Sequence, residues 1–240
     1  MKTLAFFLPV ILAASEAPVD RLFDAKLTTA QRATACFELR GKIDPRVIVA
    51  LGRALEDPEL LSCAAENLRI AGAIEPLTQA LVSQNFQVRA AAARELGKFD
   101  RPELLEPLSR AARDENTLVA INALNGLSQY QDAAAVPYLA ALASEGGMTG
   151  DMALELVWQR DPARAVTIAR GLLRSAQVPD QLYAMRVLGA SGDATDLPQL
   201  RKIATAHQEI LVQRDRGFGL MPAINLSRAA LSAIAAIESR

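Results

Sequence analysis

The sequence predicts an all-α, right-handed solenoid of about six stacked helical hairpins closed by a C-terminal helix. Three features carry this. Residues 75–81 read EPLTQAL, and 106–112, 31 residues on, read EPLSRAA. Prolines recur at Pro45, Pro76, Pro107, Pro137, Pro162 and Pro198, with gaps of 31, 31, 30, 25 and 36. Leucines recur at Leu39, Leu68, Leu96, Leu127, Leu156 and Leu188, with gaps of 29, 28, 31, 29 and 32. The two series interleave. Each unit therefore has a first helix ending near its leucine and a second helix beginning at its proline.

Proline at the first helical position costs nothing, because that N–H has no partner in the helix and the fixed φ suits it. Gly41, Gly72, Gly97, Gly126 and Gly189 stand near the ends of first helices, where glycine is a common cap. Asp44 and Asp161 precede their prolines and can cap the helix that follows. Apolar residues fall in stripes. Leu77, Ala80 and Leu81 share one face, with Thr78 and Gln79 pointing away. Val88, Ala91, Ala92 and Leu96 share another, with Arg89 and Glu95 elsewhere. A hairpin of about 30 residues cannot bury such a stripe alone, but stacking on its neighbour can.

The run from Val88-Arg89 through Leu96-Gly97, with Pro102-Glu103 and Glu106-Pro107-Leu108, resembles the HEAT repeat. It is most similar to the short bacterial units named after the phycobilisome lyases. The resemblance covers six units over 28–204. Units two to four match best; unit one is degenerate, and unit five lacks the usual inter-helix loop. Residues 16–27 lead in. Residues 205–240 form a closing element, with a loop at Asp215–Met221 and a last helix from Pro222 to about Ser239.

The address is written at the start. Met1-Lys2-Thr3, an apolar run of 11 residues (4–14) and small residues after it make residues 1–15 a secretory signal peptide. The run is short for a bilayer span, which takes about 20 residues. The protein is expected to be secreted, into a periplasm, without stable membrane insertion.

Chemistry is sparse. The single histidine, His207, has no nucleophile signature beside it and excludes multi-histidine metal binding. The His-Glu pairs of a HEAT-repeat hydroxylase family, which hold iron, are absent from the sequence. Gly146-Gly147-Met148-Thr149-Gly150 and Gly217-Phe218-Gly219 match no phosphate-binding fingerprint and are expected to be flexible loops. Asp114-Glu115 belongs in a solvated turn, and Trp158 in a core. No catalytic residue, metal or cofactor is implied. Cys36 and Cys63 lie on first helices of adjacent units, at registers two residues apart. That spacing suits either a disulfide or two buried thiols.

Net charge is −1, against the basic excess of most nucleic-acid binders. The resemblance implies that second helices line a concave binding face. Its outward positions are then Thr78, Gln79, Ser109, Arg110, Arg113, Tyr138 and Arg201, a polar surface with some positive charge in the middle. It suits a protein partner with acidic patches. The expected function is a non-catalytic scaffold. The alternatives are a lyase-like enzyme acting on a bound chromophore and a cell-wall or carbohydrate-binding module.

Overall fold

The computed structural model describes residues 17–130, 133–206, 209–210 and 224–240. Residues 1–15, expected to be a signal peptide, lie outside them, as do His207, Gly217-Phe218-Gly219 and the expected loop at 215–221. The chain is an α-solenoid of helical hairpins. Among the described residues it also has three-residue 3-10 turns at Pro102–Leu104, Ala133–Ala135 and Ala194–Asp196, and a two-residue antiparallel pair, β1 (Glu209–Ile210) with β2 (Ile224–Asn225). It divides into two compact units, one ending at Ala91 and one starting at Ala92. No helix among the described residues is long and apolar enough to cross a membrane.

The first unit holds a short α1 (Pro18–Arg21), then α2 (Thr29–Glu38), α3 (Pro45–Ala54), α4 (Leu61–Ile70) and α5 (Ile74–Ala80), and the start of α6 (Phe86–Leu96). First helices α2 and α4 lie side by side, as do second helices α3 and α5. Leu39, Leu51, Leu60, Leu68 and Leu77 are buried between them. The sequence places each start. Thr28 and Gln31 form a reciprocal cap at α2, and the Asp44 carboxylate accepts the Arg46 N–H at 2.7 Å.

The second unit continues with α7 (Leu105–Ala111), α8 (Thr117–Gln129), α9 (Val136–Glu145) and α10 (Gly147–Arg160). Then come α11 (Pro162–Leu172), α12 (Val178–Ser191), α13 (Leu197–Thr205) and α14 (Leu226–Glu238). Each second helix rests on the next first helix: α7 on α8, α9 on α10, α11 on α12 and α13 on α14. First helices α8, α10, α12 and α14 follow one another in a second row of contacts. Asp161 alone separates α10 from α11 and caps the latter by accepting the Arg164 N–H at 3.0 Å.

Several expectations are corrected. The prolines occupy the first turn of their helices and not always its first residue: Pro76 and Pro107 are third, in helices starting at Ile74 and Leu105. All the first N–H groups of a helix lack internal partners, so proline is tolerated across that turn. Helix α10 runs four residues past Leu156. The last helix starts at Leu226, not Pro222, because the Asn225 side chain accepts the Arg228 N–H at 2.9 Å and caps it there. Glu95, expected on the polar side, is 2% exposed. Burial pushes its carboxyl up, but bonds from Lys98 and Arg94 outweigh that and hold it below the usual range.

The glycines divide by role. Gly41 and Gly72 adopt positive φ (74° and 71°) past helix ends, as caps. Gly97, Gly126 and Gly189 are instead sites of close approach. A β-carbon on Gly97 would stand 2.5 Å from the Gly126 Cα, and one on Gly189 would stand 3.1 Å from the Ala233 Cα. Gly171, in α11, has nothing within 4 Å.

Cys36 on α2 and Cys63 on α4 form a disulfide across 27 residues of chain, with Cα atoms 6.4 Å apart. Asn67, buried beside it, donates to the Cys36 carbonyl at 2.7 Å.

Gly97→Ala destabilises the fold by about 1–3 kcal/mol, the range for overpacking a close contact. Gly171→Ala stabilises it by up to about 1 kcal/mol through helix propensity. Thermal melts of the two variants should shift in opposite directions. Reducing the disulfide lowers stability by about 3.5 kcal/mol, the loop-entropy value for a closure of this length. Denaturant unfolding with and without reductant measures it.

Candidate functional site

The residues singled out as a binding face lie on or beside second helices, but they do not form a basic patch. Arg110 pairs with Glu106 one turn before it, at 2.8 Å. Arg113 lies past the end of α7, in the turn that follows. Its guanidinium pairs with Glu145 at the end of α9, the closest contact being 2.6 Å. It also donates to the Ser109 carbonyl at 2.6 Å and hydroxyl at 2.9 Å. Ser109 is consequently 5% exposed and does not face outward. Arg201 pairs with Glu238 of α14 at 2.7 Å. Arg164 and Arg170 likewise hold Asp161 and Asp196. The positive charge read from the sequence is thus neutralised within the second unit, for Arg110 by an acid one turn away on α7 and for Arg113 and Arg201 by acids on other helices.

Thr78 and Gln79 on α5 are spent on local bonds. The Thr78 hydroxyl donates to the Ile74 carbonyl at 3.1 Å, and the Gln79 amide to the Glu75 carboxylate at 2.8 Å. Tyr138 on α9 is half-buried.

The first unit is different. Val49 on α3 and Val82 in the turn after α5 are 73% and 81% exposed, and neither serves the stack. Val49 forms part of two adjoining grooves. One, of about 610 Å3, runs between α1 and α3 past Phe23, Val49 and Arg53. The other, of about 450 Å3, runs between α3 and α5 past Val49, Arg53 and Val82. The Arg53 guanidinium sits over the Phe23 ring, 4.4 Å from its centroid. Neither Arg46 nor Arg53 has a carboxylate partner among the described residues. No sequence signal marked these positions, because α1 and α3 meet only in the fold.

The glycine-rich stretch at 146–150 is ordered, against expectation. Gly146 and Gly147 turn the chain with φ of 70° each, and Gly150 is already in the first turns of α10. The turn is tight because Asp180 fills it. That carboxylate accepts the Gly147 N–H at 2.8 Å and the Ser175 hydroxyl at 2.5 Å. A β-carbon on Gly146 would collide with it at 2.4 Å. Nearby Asp151 is 4% exposed, and its Oδ1 has no hydrogen-bond partner. Burial, with a smaller push from the Asp180 charge, raises its carboxyl from 3.8 to about 6. Trp158 is half-buried. Its indole donates to the Ser191 hydroxyl at 2.8 Å, and Arg186 lies 5.9 Å from its ring centroid. Among the described residues, no group of three or more His, Cys, Asp and Glu side chains is placed to hold a metal.

Residues 74–147 match the family model for HEAT repeats. No curated protein sequence matches. Among solved structures, human deoxyhypusine hydroxylase in complex with glycerol is 18% identical, with a TM-score of 0.39 over 93% of this chain and 96% of that one. A designed armadillo repeat protein in complex with the peptide (KR)4 is 17% identical, with a TM-score of 0.33 over 93% and 100%.

The Asp151 carboxyl makes stability depend on pH. Its folded value lies above its ordinary value, so the folded state holds the proton more tightly. This group therefore costs nothing below its ordinary value of 3.8, opposes folding increasingly as pH rises past it, and opposes it in full above about pH 6. Asp151→Asn should raise the melting temperature above about pH 7, and the gain should vanish near pH 4. Melts across that range check the sign.

Proposed function

We propose that the chain is a non-catalytic scaffold that binds another protein through its second-helix face and works after export. The observation that carries this is the exposure of Val49 on α3 and of Val82 in the turn after α5, beside the buried Leu51 and Leu77 of the stack. Large apolar side chains gathered at grooves are a usual mark of a protein contact. Repeat arrays offer such surfaces because positions off the stacking faces are free to vary. The HEAT-repeat match over 74–147 supports the same reading. Export is supported by the leader-like residues 1–15 and by the Cys36–Cys63 disulfide, a bond that persists in oxidising compartments.

A photo-crosslinking side chain at Val82, compared with one at Leu118 on first helix α8, tests the binding face in native extract. A discrete crosslinked partner at Val82 and none at Leu118 is expected. Crosslinks at Leu118 alone would move the site to the first helices, and crosslinks at neither would remove the scaffold reading. Intact-mass measurement should find the exported protein shortened by about 15 residues at its start.

A further inference from the structure

We propose that the groove between α1 and α3 receives a short acidic segment of the partner, anchored by one apolar side chain. This rests on the scaffold reading and specifies what the scaffold grips. The groove has the size of a side-chain-plus-backbone pocket, about 610 Å3. Val19, Phe23, Val49 and Ala50 give it an apolar lining that suits a leucine-sized anchor. Arg46 and Arg53 stand at its edge, both exposed.

The charge decides the partner. In the second unit, Arg110, Arg113, Arg164, Arg170 and Arg201 each hold a carboxylate of this chain. Arg46 and Arg53 hold none among the described residues, and Arg53 is positioned by the face of Phe23 instead. A guanidinium beside an apolar cleft and lacking an acid of its own can take a carboxylate in a bidentate pair. Two of them around one cleft fit carboxylates on either side of an apolar residue. Asp20, which also lines the groove, disfavours a continuous polyanion such as a phosphate backbone.

Fluorescence anisotropy on the purified protein tests this with two labelled synthetic peptides. One has a central leucine flanked by glutamates; in the other, lysines replace the glutamates. The acidic peptide should bind saturably and more weakly as salt rises, and the basic one should not bind. Arg46→Glu with Arg53→Glu should weaken the acidic peptide by roughly tenfold or more. Val49→Glu, which keeps both arginines, should do the same by charging the cleft. Circular dichroism melts show that each variant is folded. Equal binding of both peptides, unchanged affinity in the arginine variant, or binding to anionic lipid vesicles without peptide affinity would overturn the proposal. The Val82 crosslink separates the two levels. Its persistence in the arginine variant would reject the groove and keep the scaffold, whereas its absence from the wild type would reject the scaffold itself.

Discussion

The structure depends on one constraint: a helical hairpin of about 30 residues carries an apolar stripe that it cannot bury by itself. Burial comes only from the neighbouring hairpin, so each unit's stability is held at its borders. Alanine and glycine on the facing helices set how close those borders come. Where Gly97 meets Gly126, the two backbones touch with no side chain between them. At such separations an added methyl group is an obstruction, while on the outside of α11 it is harmless. The same residue type therefore has opposite value at two places in one array.

The polar bonds follow the same borders. The Tyr130 hydroxyl donates to the Phe99 carbonyl 31 residues back, and Arg160 reaches the Ser128 carbonyl 32 residues back. Trp158 bonds Ser191 33 residues on, and Asn67 bonds Cys36 31 residues back. Each step is close to one repeat. The bonds from Tyr130, Arg160 and Asn67 end on loop and helix-end carbonyls, and that from Trp158 on a side-chain hydroxyl. Between α2 and α4 the disulfide adds a covalent link of the same kind. Arg113 with Glu145 belongs to this set too. What looked in the sequence like a charge offered to a partner is a tie between consecutive second helices.

The fold was legible because its signals are local. Pro45 and Pro162 mark helix starts within a residue, and the Leu39 series marks the ends of most first helices, since both depend on backbone chemistry within one turn. The site was less legible because it depends on contacts a repeat apart. Nothing near Arg113 in the chain announces Glu145, 32 residues on. Nothing near Glu95 says that it will be buried, because its stripe position is polar by the helical period and becomes enclosed only by packing. The α1–α3 groove was missed for the same reason: Phe23 and Arg53 are 30 residues apart and meet across the first hairpin. Gly126 was read as a cap because its distance from Leu127 fits one, whereas its role is set by Gly97 of the preceding unit.

The central claim is a division of labour on and just past the second helices: one set of apolar side chains builds the stack, and another is exposed and takes no part in it. Comparing melts of Val49→Ser with Val82→Ser against Leu51→Ser with Leu77→Ser tests it directly. The account predicts that the first pair changes stability by less than about 0.5 kcal/mol per site. The second pair, both fully buried, should lose several kcal/mol in total, of order 2–5 per leucine. Equal losses from the two pairs would contradict it, because Val49 and Val82 would then be part of the stack.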